Sequence, residues 1–403
     1  PDPGLQLVEL GDRDLVSRSD VHDALAGLAD GERDRVELGA LAEAAGDGLA
    51  VDAAVRSDIG WAYYKLGLYE RAEPLLRRAL ELQRRDSATD SAALAQGLLR
   101  VGAAYEKRGK NDSAAMLYRE ALALRRRQDS GPDPRLAEAL VTSGNFWRDR
   151  GDTAAARQQL SEALGISRRS GDSAGIATAE DNLGALEYAV GNLAAAARYF
   201  SSSLAFRRGR YGEHPLVAGT LSNLGAVLED LGRVAEAESA YREALRIGER
   251  DLGPNHDIVT AMLSNLGLLL GRTGRVSEAE TLLRRALRTD ELYLGRDNSA
   301  VGVDATNLGG LQCRHGSPAE GAVMTKRALV ILSRYYGPTS WQAANAKVIL
   351  GRCLWRLRQL SEAERLVTEG LGDLERGLGG SSWRVDSAKV LLSEIRRSTR
   401  RRD

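Results

Sequence analysis

The chain has 403 residues, more than one compact core usually serves, so it is either several domains or an open-ended array. An apolar content of 43% is enough to bury a core, and with aromatics at only 5% that core has to be built mainly from Leu and Ala. The 56 basic residues balance 56 acidic ones, which excludes a general electrostatic grip on nucleic acid or anionic lipid, and no run of 18 apolar residues offers a membrane span.

Residues 1–48 keep no internal register, although "ERDRVELGALAEAAG" reads as a capping helix within this lead-in. From 49 to 383 the chain repeats. One glycine recurs as Gly60, Gly102, Gly144, Gly184, Gly225, Gly267, Gly309 and Gly351, at steps of 40 to 42 residues. A second follows seven residues later, from Gly67 to Gly316, and the eighth copy has Arg358 there instead. Twelve residues after the first glycine stands a small residue, such as Ala114 or Ala237. Nineteen after it stands another, such as Ala121 or Ala244, with a bulky residue between, such as Tyr118, Phe200 or Tyr241. Beyond this, residues 384–403 read as a capping helix, beginning at Trp383 and reaching about Ile395, followed by a basic tail, "RRSTRRRD", expected to be disordered.

The pattern predicts about eight helical hairpins. Small residues at fixed places let helix axes approach closely. The second glycine ends the first helix because it takes the left-handed conformation at no steric cost. Positions seven apart lie on one helical face. Turn-rich pieces such as "YGEHP" and "LGPNHD" separate the repeats. The seventh repeat departs most, with Gln312, Gly321 and Thr325 at usually apolar or Ala positions, and is expected to pack loosely.

"IGWAY" at 59–63, "VGAAY" at 101–105, "AAAARYFSSSL" and "AEAESAYREAL" resemble the tetratricopeptide consensus, Leu-Gly-x-x-Tyr followed by Ala-x-x-x-Phe-x-x-Ala. The 42-residue period and "YGEHPLVAGTLSNLG" are similar to the kinesin light chain variety. The resemblance implies an all-α, right-handed superhelical solenoid with capping helices, whose first helices line a concave groove. "IGWAYYKLGLYERAEPLLRRALELQRR" is similar to a stretch of certain bacterial Ser/Thr protein kinases, where it follows a kinase domain and a membrane helix. That likeness implies a regulatory region with a kinase domain in cis, as the alternative to a free-standing interaction scaffold. Arginine outnumbers lysine about eight to one, a habit of GC-rich bacterial genomes. Few cysteines and no export signal favour the cytoplasm, whereas an upstream membrane helix would place the array outside it.

No nucleotide-binding loop, hydrolase elbow, zincin helix or kinase catalytic triplet is present, so neither catalysis nor a cofactor nor a metal is expected. His214 and His256 occupy equivalent loop sites and read as features of the repeat. Cys313 and Cys353 fall on first helices and read as small buried hydrophobes. Carboxylates with nearby arginines on the second helices read as i,i+4 surface pairs.

Two residues before the recurrent glycine stand Asn182, Asn223, Asn265 and Asn307. The family likeness implies that such a column hydrogen-bonds the backbone of a bound peptide, and Asn offers both donor and acceptor for that. The other reading is a bridge between neighbouring helices. Seven residues further along the same stripe come Arg272, Arg314 and Arg356. They make the C-terminal groove basic and suited to an acidic stretch or free carboxylate, or else they are scattered surface charge. Net hydrogen bonds contribute ~1 kcal/mol each, whereas micromolar affinity needs about 8 kcal/mol, so charge or apolar pockets must supply the remainder. Trp61, Tyr64, Tyr188 and Trp355 are candidate groove aromatics, or else they pack between repeats.

Overall fold

The computed structural model describes residues 53–65, 68–86, 90–127, 131–378 and 383–400. The lead-in 1–48 lies outside them, as do Gly67 and residues 401–403 of the basic tail. Among the described residues every regular element is an α-helix.

The chain divides near Gly175 into two compact units. The first holds α1 (Ala53–Lys65), α2 (Tyr69–Arg85), α3 (Ser91–Lys107), α4 (Asn111–Arg127), α5 (Pro134–Asp149) and α6 (Thr153–Ser170). The second holds α7 (Ser173–Ala189), α8 (Leu193–Tyr211), α9 (Pro215–Asp230), α10 (Val234–Asp251), α11 (Asp257–Arg272) and α12 (Val276–Tyr293). It continues with α13 (Ser299–His315), α14 (Pro318–Tyr336), α15 (Trp341–Arg356), α16 (Leu360–Leu378) and α17 (Trp383–Arg400). In each unit odd-numbered helices open a hairpin and even-numbered ones close it. In the second unit α9, α11, α13 and α15 each pack on their own partner, on the preceding second helix and on the next first helix. This is the local geometry of a helical solenoid.

One hairpin shows why the sequence folds this way. Pro215 opens α9, where its missing N–H costs nothing, and His214 caps it, Nδ1 accepting from the Leu216 N–H at 3.2 Å. His256 caps α11 in the same way, which accounts for both histidines. The helix stops at Gly232, whose φ of +75° closes the turn while the Arg233 N–H donates to the Leu228 carbonyl at 2.8 Å. On α10 the small Ala237 and Ala244 and the bulky Tyr241 between them are all buried, facing α9. Glycines end the first helices of the second to sixth hairpins left-handed, at φ between +72° and +85°. Arg358 does so in the eighth, at φ +63°.

Three expectations are corrected. Gly316 is not left-handed, with φ −116°, because the Gln312 side chain closes that turn by accepting from the Ser317 N–H at 3.1 Å. The seventh hairpin is tight rather than loose. A Cβ on Gly321 would stand 2.8 Å from the Gly309 carbonyl oxygen, so α13 and α14 meet backbone to backbone, and Thr325 and Gln312 are buried with hydrogen-bond partners. Cys313 and Cys353 are not independent hydrophobes. They form a disulfide between α13 and α15, Cα to Cα 4.9 Å, with both residues fully buried.

The surface charges of the second helices also do more than pair within a helix. Arg84 reaches Glu120, Arg126 reaches Glu162, Arg242 reaches Glu278 and Arg285 reaches Glu249, each 36 residues away on the neighbouring second helix, at 2.6 to 2.8 Å. Such exposed pairs contribute at most about 1 kcal/mol each, and they link successive second helices. At the C-terminal end α17 packs against α15 and α16, burying Val385, Ala388, Leu391 and Ile395 on the face that α16 leaves open. The helix runs through Arg400, so Arg396 to Arg400 of the basic tail are helical. Arg396 pairs with Glu364 at 2.8 Å.

Candidate binding recess

Within the second unit, α7, α9, α11, α13, α15 and α17 wall a recess of about 210 Å3. Its floor is low because small residues, Ala226, Gly271 and Gly310, stand where side chains would otherwise fill it. Tyr241 and Leu283 reach it past Gly225 and Gly267, on which they pack. On α11 the wall takes Asn265, Leu268 and Arg272, and on α13 Asn307, Gly310 and Arg314. The spacing of three and four residues puts each set on one helical face.

Of the asparagine column, Asn265 and Asn307 face the recess and the other two do not. Asn182 donates to the Thr178 carbonyl of its own helix at 2.8 Å, and Asn223 is exposed outside the recess. Asn265 also bridges to the neighbouring helix, donating to Ser222 Oγ at 3.2 Å. Arg272 and Arg314 are on the wall. Arg356 is not; its guanidinium donates to the carbonyls of Cys313 and Arg314, at 3.3 and 2.8 Å, and so caps the end of α13. The recess meets α15 one turn earlier, at Asn345, Ile349 and Arg352. Arg352 was readable as the i−4 neighbour of Arg356. Arg384, on α17, completes the wall from outside the repeat register, where no periodic signal pointed to it. Of the candidate aromatics only Tyr188 lines the recess. Trp355 donates to Ser398 Oγ at 3.1 Å, which ties it to α17, and Trp61 stacks on Tyr64 in the first unit.

Four guanidinium groups therefore share the recess with the carboxylates of Glu229 and Asp230. Arg272 pairs with Glu229, which also accepts from the Tyr241 hydroxyl at 3.2 Å. Burial raises the Glu229 carboxyl, and Arg272 pulls it part of the way back. Asp230 accepts from the Tyr188 hydroxyl at 2.8 Å. Burial, then the nearby charges of Arg352 and Arg272, push Arg314 down to about 10. Burial also lowers Arg352 and Arg384. The Arg352 Nε is buried without a hydrogen-bond partner. The site is a concave, electropositive surface that favours an anion.

No group of three or more His, Cys, Asp or Glu side chains among the described residues is placed to hold a metal, and no described helix is long and apolar enough to cross a membrane.

Among curated proteins no significant match is found. Of solved structures, a Rap protein complexed with Competence and Sporulation Factor is similar at 13% identity and a TM-score of 0.56, over 88% of this chain and all of that one. The apo form of RapI is similar at 16% identity and a TM-score of 0.54, over 70% of this chain and 99% of that one. Repeats of a putative kinesin light chain from Podosopora anserina are similar at 17% identity over 49% of this chain and 94% of that one, with a TM-score of 0.40. The two Rap structures share the fold. The family model for the tetratricopeptide repeat matches residues 51–127, 135–209 and 216–292, more than half of the chain. With the glycine slot, the buried second-helix residues and the hairpin stacking all in that family's pattern, the chain belongs to the tetratricopeptide-repeat family.

Proposed function

We propose that this chain is a non-catalytic interaction scaffold and that the recess of its second unit receives an acidic segment of a partner protein. The supporting observation is the charge of the recess, where four arginines face two carboxylates. An incoming carboxylate would find bidentate guanidinium donors flanked by the amides of Asn265 and Asn307. In a longer chain carrying a kinase, the same groove would serve as the regulatory surface, and the chemistry of recognition would be unchanged.

The test is binding of an Asp/Glu-rich peptide library to the full chain at two salt concentrations, beside an Arg314→Glu/Arg352→Glu variant. The scaffold reading expects acidic peptides to be retained, less strongly at high salt, and lost from the variant. Equal retention by both proteins would remove the recess from the account.

A further inference from the structure

The charges of the recess are unequally compensated. Arg272 is paired with Glu229, and at Arg384 burial lowers the guanidinium while Tyr188 and Asp230 offset part of that. Among the described residues neither Arg314 nor Arg352 forms an ion pair; the Arg352 charge lowers Arg314, and Glu394 is the carboxylate whose charge acts on Arg352. Two positive charges are thus held close together and partly desolvated, with only the Glu394 charge acting on Arg352 to offset them and no ion pair to either among the described residues. Burying unpaired like charges is costly, and a fold keeps such an arrangement at low cost only when something else neutralises it.

The size of the excess defines the ligand. One carboxylate brings a single charge on two oxygens and would leave one guanidinium unmatched. A phosphomonoester brings nearly two charges on three terminal oxygens, all of them acceptors. The donors on this wall suit three oxygens: two planar guanidinium forks from α13 and α15, and the side-chain amides of Asn307 and Asn345 on the same two helices. A recess of about 210 Å3 holds a phosphorylated side chain or a small phosphate ester more readily than a folded domain. The Cys313–Cys353 disulfide joins the residues adjoining Arg314 and Arg352, so the backbone positions that carry the two forks are tied together before a ligand arrives.

We propose that Arg314 and Arg352, with Asn307 and Asn345, form a binding site for a phosphomonoester dianion. This rests on the groove reading above and narrows it: the anchoring group is a phosphoryl group rather than a carboxylate. Such a group can come from a phosphorylated partner segment or from a small phosphate ester, and the recognition chemistry is shared.

The experiment is calorimetric titration of the full chain with phosphoserine, with a peptide library carrying one fixed phosphoserine, and with the matched library carrying Glu at that position. The same titrations are run on Arg314→Gln/Arg352→Gln and on Arg365→Gln, an exposed arginine of α16 that pairs with Glu369. Thermal unfolding confirms that each variant is folded. Removing two unpaired charges is expected to leave the midpoint unchanged or raised. The proposal expects phosphoserine ligands to bind at least about tenfold more tightly than the Glu library. It also expects that preference to disappear in the double variant and to persist in Arg365→Gln. Tighter binding of the phosphopeptide library than of phosphoserine identifies a protein source, and equal binding a small ester. Equal affinity for Glu and phosphoserine ligands would overturn the phosphoryl proposal and leave the acidic groove standing. Binding of neither would overturn both.

Discussion

The Cβ that Gly225 lacks would lie 2.7 Å from Cε1 of the Tyr241 ring. The same relation recurs at a separation of 16 residues through the array, as Gly102 with Tyr118, Gly144 with Leu160, Gly184 with Phe200 and Gly267 with Leu283. The first helix supplies a slot and the second a bulky side chain that fills it. Tyr241 cannot swing away cheaply, since it is buried and its hydroxyl donates to Glu229.

Gly225→Ala is therefore expected to lose stability although Ala is the better helix former. Overpacking costs about 1–3 kcal/mol and the propensity gain returns about 1 kcal/mol, which leaves a net loss on the order of 1 kcal/mol. Gly209, in the last turn of α8 with open space around its missing Cβ, is the control without a slot partner. Gly209→Ala should gain up to about 1 kcal/mol by denaturant midpoint.

Arg358 holds the left-handed position that glycine holds in five other hairpins. A side chain there costs about 1–2 kcal/mol. Arg358→Gly is expected to raise the unfolding midpoint, and a fall would mean that the side chain contributes more than the strain removes.

Asp304 is buried, accepts from Ser264 Oγ at 2.6 Å and lies against Asp290, so burial and then the neighbouring carboxyl raise it to about 7. The unfolded chain titrates this group near ~4, so between the two values the folded state holds an extra proton. Its contribution is present in full below ~4 and declines as pH rises towards 7. Asp304→Asn keeps an acceptor for Ser264 and removes the titration. The variant's stability relative to wild type should rise between pH 5 and pH 8 by a few kcal/mol, read from urea midpoints. A constant difference would contradict the buried-proton account.

The Cys313–Cys353 bridge closes a 40-residue separation. A non-reducing digest should yield the linked peptide pair by mass spectrometry. Reduction should lower the stability of the second unit by about 3–4 kcal/mol.

The repeat made much of this legible in advance. Glycine and alanine positions announced where helices touch, and His214 and His256 announced loops that proved to be N-caps. Arg272 and Arg314 were readable because seven-residue spacing keeps a face. Arg352 was not picked out, because the recess meets α15 one turn earlier than the register projects, and Arg384 stands on a helix with no repeat to extrapolate from. The disulfide was hidden for a related reason: its cysteines sit at different offsets in their repeats and come together only because α13 packs against α15. The 36-residue ion pairs escaped because they join successive second helices, which local spacing cannot show.

The central claim, that an acidic partner segment lies against the first helices of the second unit, is tested most directly by site-specific photo-crosslinking. A photoreactive residue is placed at Asn307 in the recess or at Val323, exposed on α14. Acidic peptides should crosslink from position 307 and not from position 323. Crosslinking from 323 alone, or equally from both, would contradict the account.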